Sequence, residues 1–133
     1  MLPAAIVSGI LFVVACIVVP ILAIMYLAKT LRARGAAAIA ERYPAADVLL
    51  SDTFAQSYGQ QSRGVTQARG NGALALTKVE LYFMLYVPQR ELRIPLSTIT
   101  AVTHPRSHLG KTGGVKLLHV AFTTSGGPDA IAF

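Results

Sequence analysis

The residues best suited to chemistry lie in one segment near the C-terminus. Gly110-Lys111-Thr112 has the ending of a phosphate-binding P-loop, in which backbone amides and a lysine cradle phosphates. The motif is incomplete, because Pro105 stands where its first glycine should be. His104 and His108 have the spacing of a helical metal pair, but Pro105 disfavours a helix and no nearby Cys, Asp or Glu completes a ligand set. We expect surface histidines in a loop, with no metal and no cofactor.

The acidic residues give no sign of catalysis either. The chain has 6 Asp and Glu residues, and they are scattered along the sequence. No two are placed for general acid and base chemistry, and no nucleophile stands beside a base. The sequence therefore predicts a protein that is not an enzyme.

Basic residues offer a binding function instead. Four of them lie in two glycine-containing segments, and they are Arg63, Arg69, Arg106 and Lys111. Exposed loop amides and basic side chains bind anions, so these four are candidate lipid-headgroup or anion ligands. The alternative is that a basic surface merely suits a domain held beside lipid. Nucleic acid is not an expected partner, because aromatic and basic residues do not interleave.

A second candidate site lies on a predicted strand. Val79, Leu81, Phe83, Leu85 and Val87 fill one face of this strand, and Tyr82, Met84 and Tyr86 lie on the other. Tyr and Met are favoured at protein interfaces, so we expect this second face to be partly exposed and to bind a partner. The alternative is that the segment after the anchor, or Val48–Leu50, covers it within the chain.

The N-terminal 28 residues predict a transmembrane helix. No charge precedes Lys29, and residues 3–28 would form about 39 Å of helix, against about 30 Å of hydrocarbon. A kink is expected at Pro20. A cleaved signal is disfavoured, because no Lys or Arg precedes the apolar run.

Charge beside the helix predicts its orientation. Lys29, Arg32 and Arg34 follow it directly and are the expected membrane-interface residues. By the positive-inside rule, the N-terminus lies outside and the C-terminal domain is cytoplasmic. Small residues at Ala4, Ala5, Ser8 and Gly9 could let another helix approach, although such residues are common in membrane helices.

The rest of the chain predicts a short helix and then strands. Residues 29–46 are expected to form a juxtamembrane helix, broken or bent at Gly35 and ended by Pro44, and a linker. Residues 47–133 form the remaining domain. Residues 47–58 fit a strand or a short helix, and residues 59–72 a loop. Alternating apolar residues after that indicate closely spaced strands, and so a mainly antiparallel small barrel or sandwich.

Four segments of this domain resemble the bacterial PH-like, or GRAM-like, family. They are Arg69–Thr77, Leu81–Phe83, Glu91–Leu96 and Leu118–Phe122. The resemblance covers residues 48–133 and implies a partial barrel that binds lipid headgroups or proteins without catalysis. It also implies a C-terminal capping helix, whereas the pattern favours a last strand from Ile131 and the sequence stops at Phe133. We expect the cap to be absent, so that either a longer protein or a neighbouring subunit completes the barrel.

These features together predict a single-pass protein of the bacterial inner membrane with a cytoplasmic PH-like domain. The leading hypothesis is a non-catalytic accessory or scaffolding subunit of a larger membrane complex, for example a respiratory or photosynthetic one. Its partners would be membrane lipids and other membrane protein subunits. The alternative is an independent lipid-headgroup or anion-binding module.

Overall fold

The computed structural model describes residues 1–133 as two compact units, residues 1–31 and residues 32–133. One helix, α1 (Ala4–Arg42), starts in the first unit and ends in the second. Its most apolar 18-residue window has a mean hydropathy of 3.0 and no buried residue. Exposing so many apolar side chains to water is unfavourable. The chain therefore carries one helix that could cross a membrane, as predicted.

The helix is continuous at Gly35, where the sequence predicts a break or a bend. It runs through Pro20 and through Gly35 without interruption, and it ends at Arg42, shortly before Pro44. Gly35 is buried, and a Cβ atom there would collide with Tyr86 and Ala73. Gly35 thus permits close packing between the helix and a sheet and does not end the helix.

The second unit continues with strands that form two antiparallel four-stranded sheets and one small hairpin. The first sheet has the order β1-β3-β4-β5, the second β2-β10-β9-β6, and the hairpin pairs β7 with β8. Their bounds are β1 (Val48–Ser57), β2 (Gly59–Gln60), β3 (Gly70–Thr77), β4 (Glu80–Leu85), β5 (Arg90–Pro95), β6 (Ile99–Thr103), β7 (Ser107–His108), β8 (Lys111–Thr112), β9 (His119–Thr124) and β10 (Gly127–Ala132). The predicted mainly antiparallel β architecture is confirmed.

One face of β4 forms the core between the two sheets. Leu81, Phe83 and Leu85 are buried against residues of both sheets. Their partners include Ile94 of β5, Val120 and Phe122 of β9, and Ile131 of β10. The predicted face is therefore confirmed for these three residues, since burial of apolar surface is the main force that holds the sheets together. Val79 and Val87, predicted on the same face, lie outside β4 and are 69% and 75% exposed.

The other face of β4 corrects the sequence prediction. Tyr82, Met84 and Tyr86 are not partly exposed: their exposed fractions are 0%, 1% and 3%. The last turns of α1 and Tyr43, the residue that follows the helix, cover them. Gly35 lies against Tyr86, and Tyr43 is edge-on to the ring of Tyr82. Buried in this way, the three side chains are not a free surface for a partner.

Polar contacts border this helix–sheet packing at both ends. Near its start, Arg34 donates to the carbonyl oxygen of Tyr86 over 2.9 Å, and the Tyr86 hydroxyl donates to the carbonyl oxygen of Thr53. Near its end, the Tyr82 hydroxyl donates to Glu91 over 2.9 Å, and Arg42 forms an ion pair with the same carboxylate. Both ends of the segment are therefore fixed to the first sheet.

Substitution of Gly35 tests this packing. We expect Gly35→Leu to lower the free energy of unfolding of the β domain by roughly 1–3 kcal/mol, because the new side chain collides with Tyr86 and Ala73. Urea unfolding in neutral detergent, followed by tyrosine circular dichroism, measures the change. Gly9→Leu is the matched control, because a Cβ at Gly9 meets nothing within 4 Å. Equal unfolding of the two variants would contradict the packing.

Candidate anion-binding loops

Two loops carry the predicted basic residues. The first basic loop, residues 61–69, leads from β2 to β3, and the second basic loop, residues 104–116, leads from β6 to β9 and contains the hairpin of β7 and β8. This hairpin turns through Leu109 and Gly110, whose φ angles are 51° and 74°. Two successive positive φ values are typical of the tight type I′ turn, so the second basic loop has a defined conformation.

Two of the basic residues connect the loops. Arg69 of the first loop donates to the carbonyl oxygen of Thr112 in the second over 2.6 Å, and its guanidinium lies 5.0 Å from the ring centre of Tyr58. Lys111 of the second loop donates to the carbonyl oxygen of Val65 in the first over 3.1 Å. The structure therefore brings Arg69 and Lys111, which are distant in sequence, into one loop pair.

The other two basic residues are freer. Arg106 is exposed, its side chain forms no hydrogen bond, and its carbonyl oxygen accepts the Thr112 hydroxyl over 2.8 Å. Arg63 is exposed too, and it lines a small cavity of about 40 Å³ together with Arg90. Burial, and then the charge of Arg63, lower the pKa of Arg90. Arg90 was not among the predicted residues, because it lies on a strand, outside both loops.

The positive charge of the loops is not neutralised within the chain. The three ion pairs are Arg42 with Glu41, Arg42 with Glu91, and Lys78 with Asp47. None of them involves a residue of either basic loop. An anion that reaches the loops therefore meets basic side chains that form no ion pair with a carboxylate of the chain.

His108 is another correction, because it is buried and not a surface histidine. Its exposed fraction is 7%, and its Nε2 atom lies 2.9 Å from the carbonyl oxygen of Gly59. Burial lowers the pKa of His108, and the neighbouring His119 and Lys111 lower it further, against the raising effect of Gly59. The histidine thus holds the second basic loop on β2.

Asp129 holds the first basic loop. Its carboxylate accepts hydrogen bonds from the Gln60 side chain over 2.6 Å, from the Ser62 amide over 2.9 Å and from the Ala130 amide over 2.8 Å. Burial raises the pKa of Asp129, but these bonds outweigh it and leave the pKa lowered. Asp129 was not predicted either, since no motif marks a carboxylate that binds a loop 67 residues away.

The residues predicted beside the membrane divide into two groups. Arg32 lies 4.7 Å from the ring centre of Phe54, and Arg34 donates to Tyr86, so both contact the β domain. Lys29 is exposed. The small residues Ala4, Ala5, Ser8 and Gly9 are also exposed.

Comparison with known proteins gave no match. No family model matches the sequence, and no curated protein and no solved structure is significantly similar to the chain.

The bonds of Asp129 predict a dependence of stability on pH. Because folding lowers its pKa below the ordinary value of 3.8, the ionised carboxylate stabilises the folded state above that pH. This contribution is lost as the pH falls through the folded pKa. We expect Asp129→Asn to cost about 1–3 kcal/mol near pH 7, because an amide cannot accept from all the donors, and to flatten the decline in acid. Urea unfolding between about pH 2 and pH 7, a range that extends well below the ordinary carboxyl pKa, measures the cost and the acid decline. An equally steep acid decline in the variant would contradict this role.

Proposed function

We propose that this protein is a membrane-anchored, non-catalytic module that binds anionic headgroups through its two basic loops. The observation that carries the proposal is the pairing of these loops by Arg69 and Lys111, with no carboxylate in an ion pair with any of their bases. His108 fixes the second basic loop to β2, and Asp129 of β10 fixes the first basic loop. Because both loops are already ordered, binding does not include the entropic cost of ordering two free loops.

The charges of the basic side chains determine the expected affinity for anionic headgroups. A basic side chain near an anionic membrane surface contributes about 1 kcal/mol, and salt screens this attraction over about 8–10 Å. Arg63 and Arg106 are exposed and have all their donors available, whereas Arg69 and Lys111 each use one donor to join the loops. We assign the direct headgroup contacts mainly to Arg63 and Arg106, and the positioning of the loops to Arg69 and Lys111.

The cellular setting is part of the proposal. The apolar part of α1 would span the bacterial inner membrane, with the N-terminus outside and the β domain in the cytoplasm, since Lys29, Arg32 and Arg34 follow the apolar segment. The PH-like assignment belongs here as well. It is supported by four strands in one antiparallel sheet that faces a second sheet across one core.

A second candidate function is an accessory or scaffolding subunit of a larger membrane complex. The buried Tyr82, Met84 and Tyr86 no longer support it. It is favoured instead by the exposed small residues of α1 and by the open edge of β1, where Leu49 and Leu50 are 54% and 71% exposed. Exposed apolar side chains at a sheet edge are typical of a surface that binds another chain.

Titration of short-chain lipids into the full chain in neutral detergent tests the leading proposal. We expect dihexanoyl phosphatidylserine to shift the amide resonances of residues 61–69 and 104–116, and dihexanoyl phosphatidylcholine to leave them unchanged. Arg63→Glu with Arg106→Glu should weaken binding by roughly tenfold or more, because two favourable charges become repulsive. Inorganic phosphate, titrated in the same way, distinguishes a lipid headgroup from a free anion.

The control has the same net charge. Lys78→Glu with Arg93→Glu changes the charge equally at two exposed residues outside both loops. This variant should bind phosphatidylserine nearly as the unchanged protein does. Equal weakening by both double variants, or equal binding of the two lipids, would refute the loop site.

A further inference from the structure

Strand β1 is an unpaired edge of the first sheet. It pairs with β3 on one side and with no strand on the other. Its first half carries exposed Leu49, Leu50, Ser51 and Asp52. An edge strand presents unpaired backbone donors and acceptors, which an added strand can satisfy.

An apolar cavity opens on each face of the sheet along this edge. On the helix face, a groove of about 480 Å³ lies between β1 and the end of α1, lined by Ile39, Ala40 and Pro44 from the helix side and by Val48, Ser51 and Thr53 of β1. On the core face, a cavity of about 230 Å³ is lined by Ser51 and Asp52 of β1 and by five leucines, which are Leu50, Leu74, Leu76, Leu81 and Leu118. Both cavities therefore border the same stretch of β1.

Alternation along a strand fits this pair of cavities. Successive side chains of an extended chain point to opposite faces of a sheet. A strand added to β1 would place one side chain in the helix-face groove and the next in the core-face cavity. A compact ligand could fill one cavity only, because β1 and its neighbours separate the two.

The charges beside the edge indicate the character of the added strand. The Asp52 carboxylate accepts the Phe54 amide over 2.8 Å, and no basic side chain forms an ion pair with it. Asp47, which directly precedes β1, has Lys78 at 3.6 Å. Arg32 stands over the Phe54 ring two residues further along β1 but forms no ion pair with Asp52. The exposed charge of Asp52 is thus complementary to a lysine or arginine on the incoming chain.

We propose that β1 binds an extended segment of another protein as an added strand, and that this segment has two successive apolar residues, one for each face of the sheet, and a basic residue on the core face, where Asp52 lines the cavity. The apolar side chains occupy the two cavities, the backbone pairs with Leu49–Asp52, and the basic side chain pairs with Asp52. This inference deepens the second candidate function, docking to a membrane complex, and does not depend on the basic loops.

A designed peptide tests the proposal on the full chain in neutral detergent. The probe is a fluorescent peptide of about six residues, a typical strand length, in which two successive valines are followed by threonine and then lysine. We expect it to bind and to slow amide exchange at Leu49–Asp52. The same peptide with glutamate for lysine should bind roughly fivefold more weakly, since an exposed charge pair contributes up to about 1 kcal/mol.

Asp52→Lys should reverse this preference, so that the glutamate peptide binds more tightly than the lysine peptide. Asp52→Asn, which keeps an acceptor for the Phe54 amide, should abolish the preference. Glu41→Lys is the matched control, because it makes the same charge change at an exposed carboxylate on α1. This variant should still bind the lysine peptide more tightly than the glutamate peptide. Arg63→Glu with Arg106→Glu should also keep this preference, which separates this docking from headgroup binding.

Three outcomes would overturn the proposal. The first is equal binding of a peptide whose bonding amides are N-methylated, because added-strand pairing needs those donors. The second is no binding of either charged peptide. The third is self-association of the chain that excludes the peptide from β1, which would make a second copy the occupant.

Discussion

The packing of the end of α1 on the first sheet is the contact on which the rest of the β domain depends. Both faces of β4 are apolar, so this strand needs cover on two sides. The second sheet covers one face, and the turns of α1 around Gly35, Ala38 and Ile39 cover the other. Without these turns, two tyrosines and a methionine would face water. The folded unit therefore begins at Arg32 and not at the first strand.

The two candidate binding surfaces follow from the same arrangement. The helix covers the middle of the first sheet and leaves β1 as an open edge with an apolar groove beside the helix. The basic loops both start at strands of the second sheet, where His108 holds the second loop on β2 and Asp129 holds the first loop on β10. Loops positioned by a rigid scaffold are common binding sites, and an open strand edge is a common docking site. A single small domain can thus offer one polar and one apolar surface.

Local patterns predicted most elements, whereas long-range contacts decided the sites. Alternation identified β4 and β5, and the long apolar run identified α1, because both signals are periodic in sequence. Gly35 was predicted as a break or a bend, since the sequence does not show that a sheet approaches it. The pattern of β4 favoured a partly exposed tyrosine face, with cover by the segment after the anchor as the alternative, and only the contacts of α1 show that the alternative is correct. The contacts of Asp129 and Arg69 span 67 and 43 residues, and no local signal predicts such pairs.

Hydrogen exchange of the full chain in lipid nanodiscs tests the central claim most directly. If the end of α1 packs on the first sheet, amides of residues 35–42 exchange as slowly as those of β4, since both open only when the β domain unfolds. If residues 35–42 exchange quickly while β4 remains protected, the helix end is not part of the folded domain. The tyrosine face of β4 would then be open to a partner, and the claim that α1 completes the β domain would be wrong.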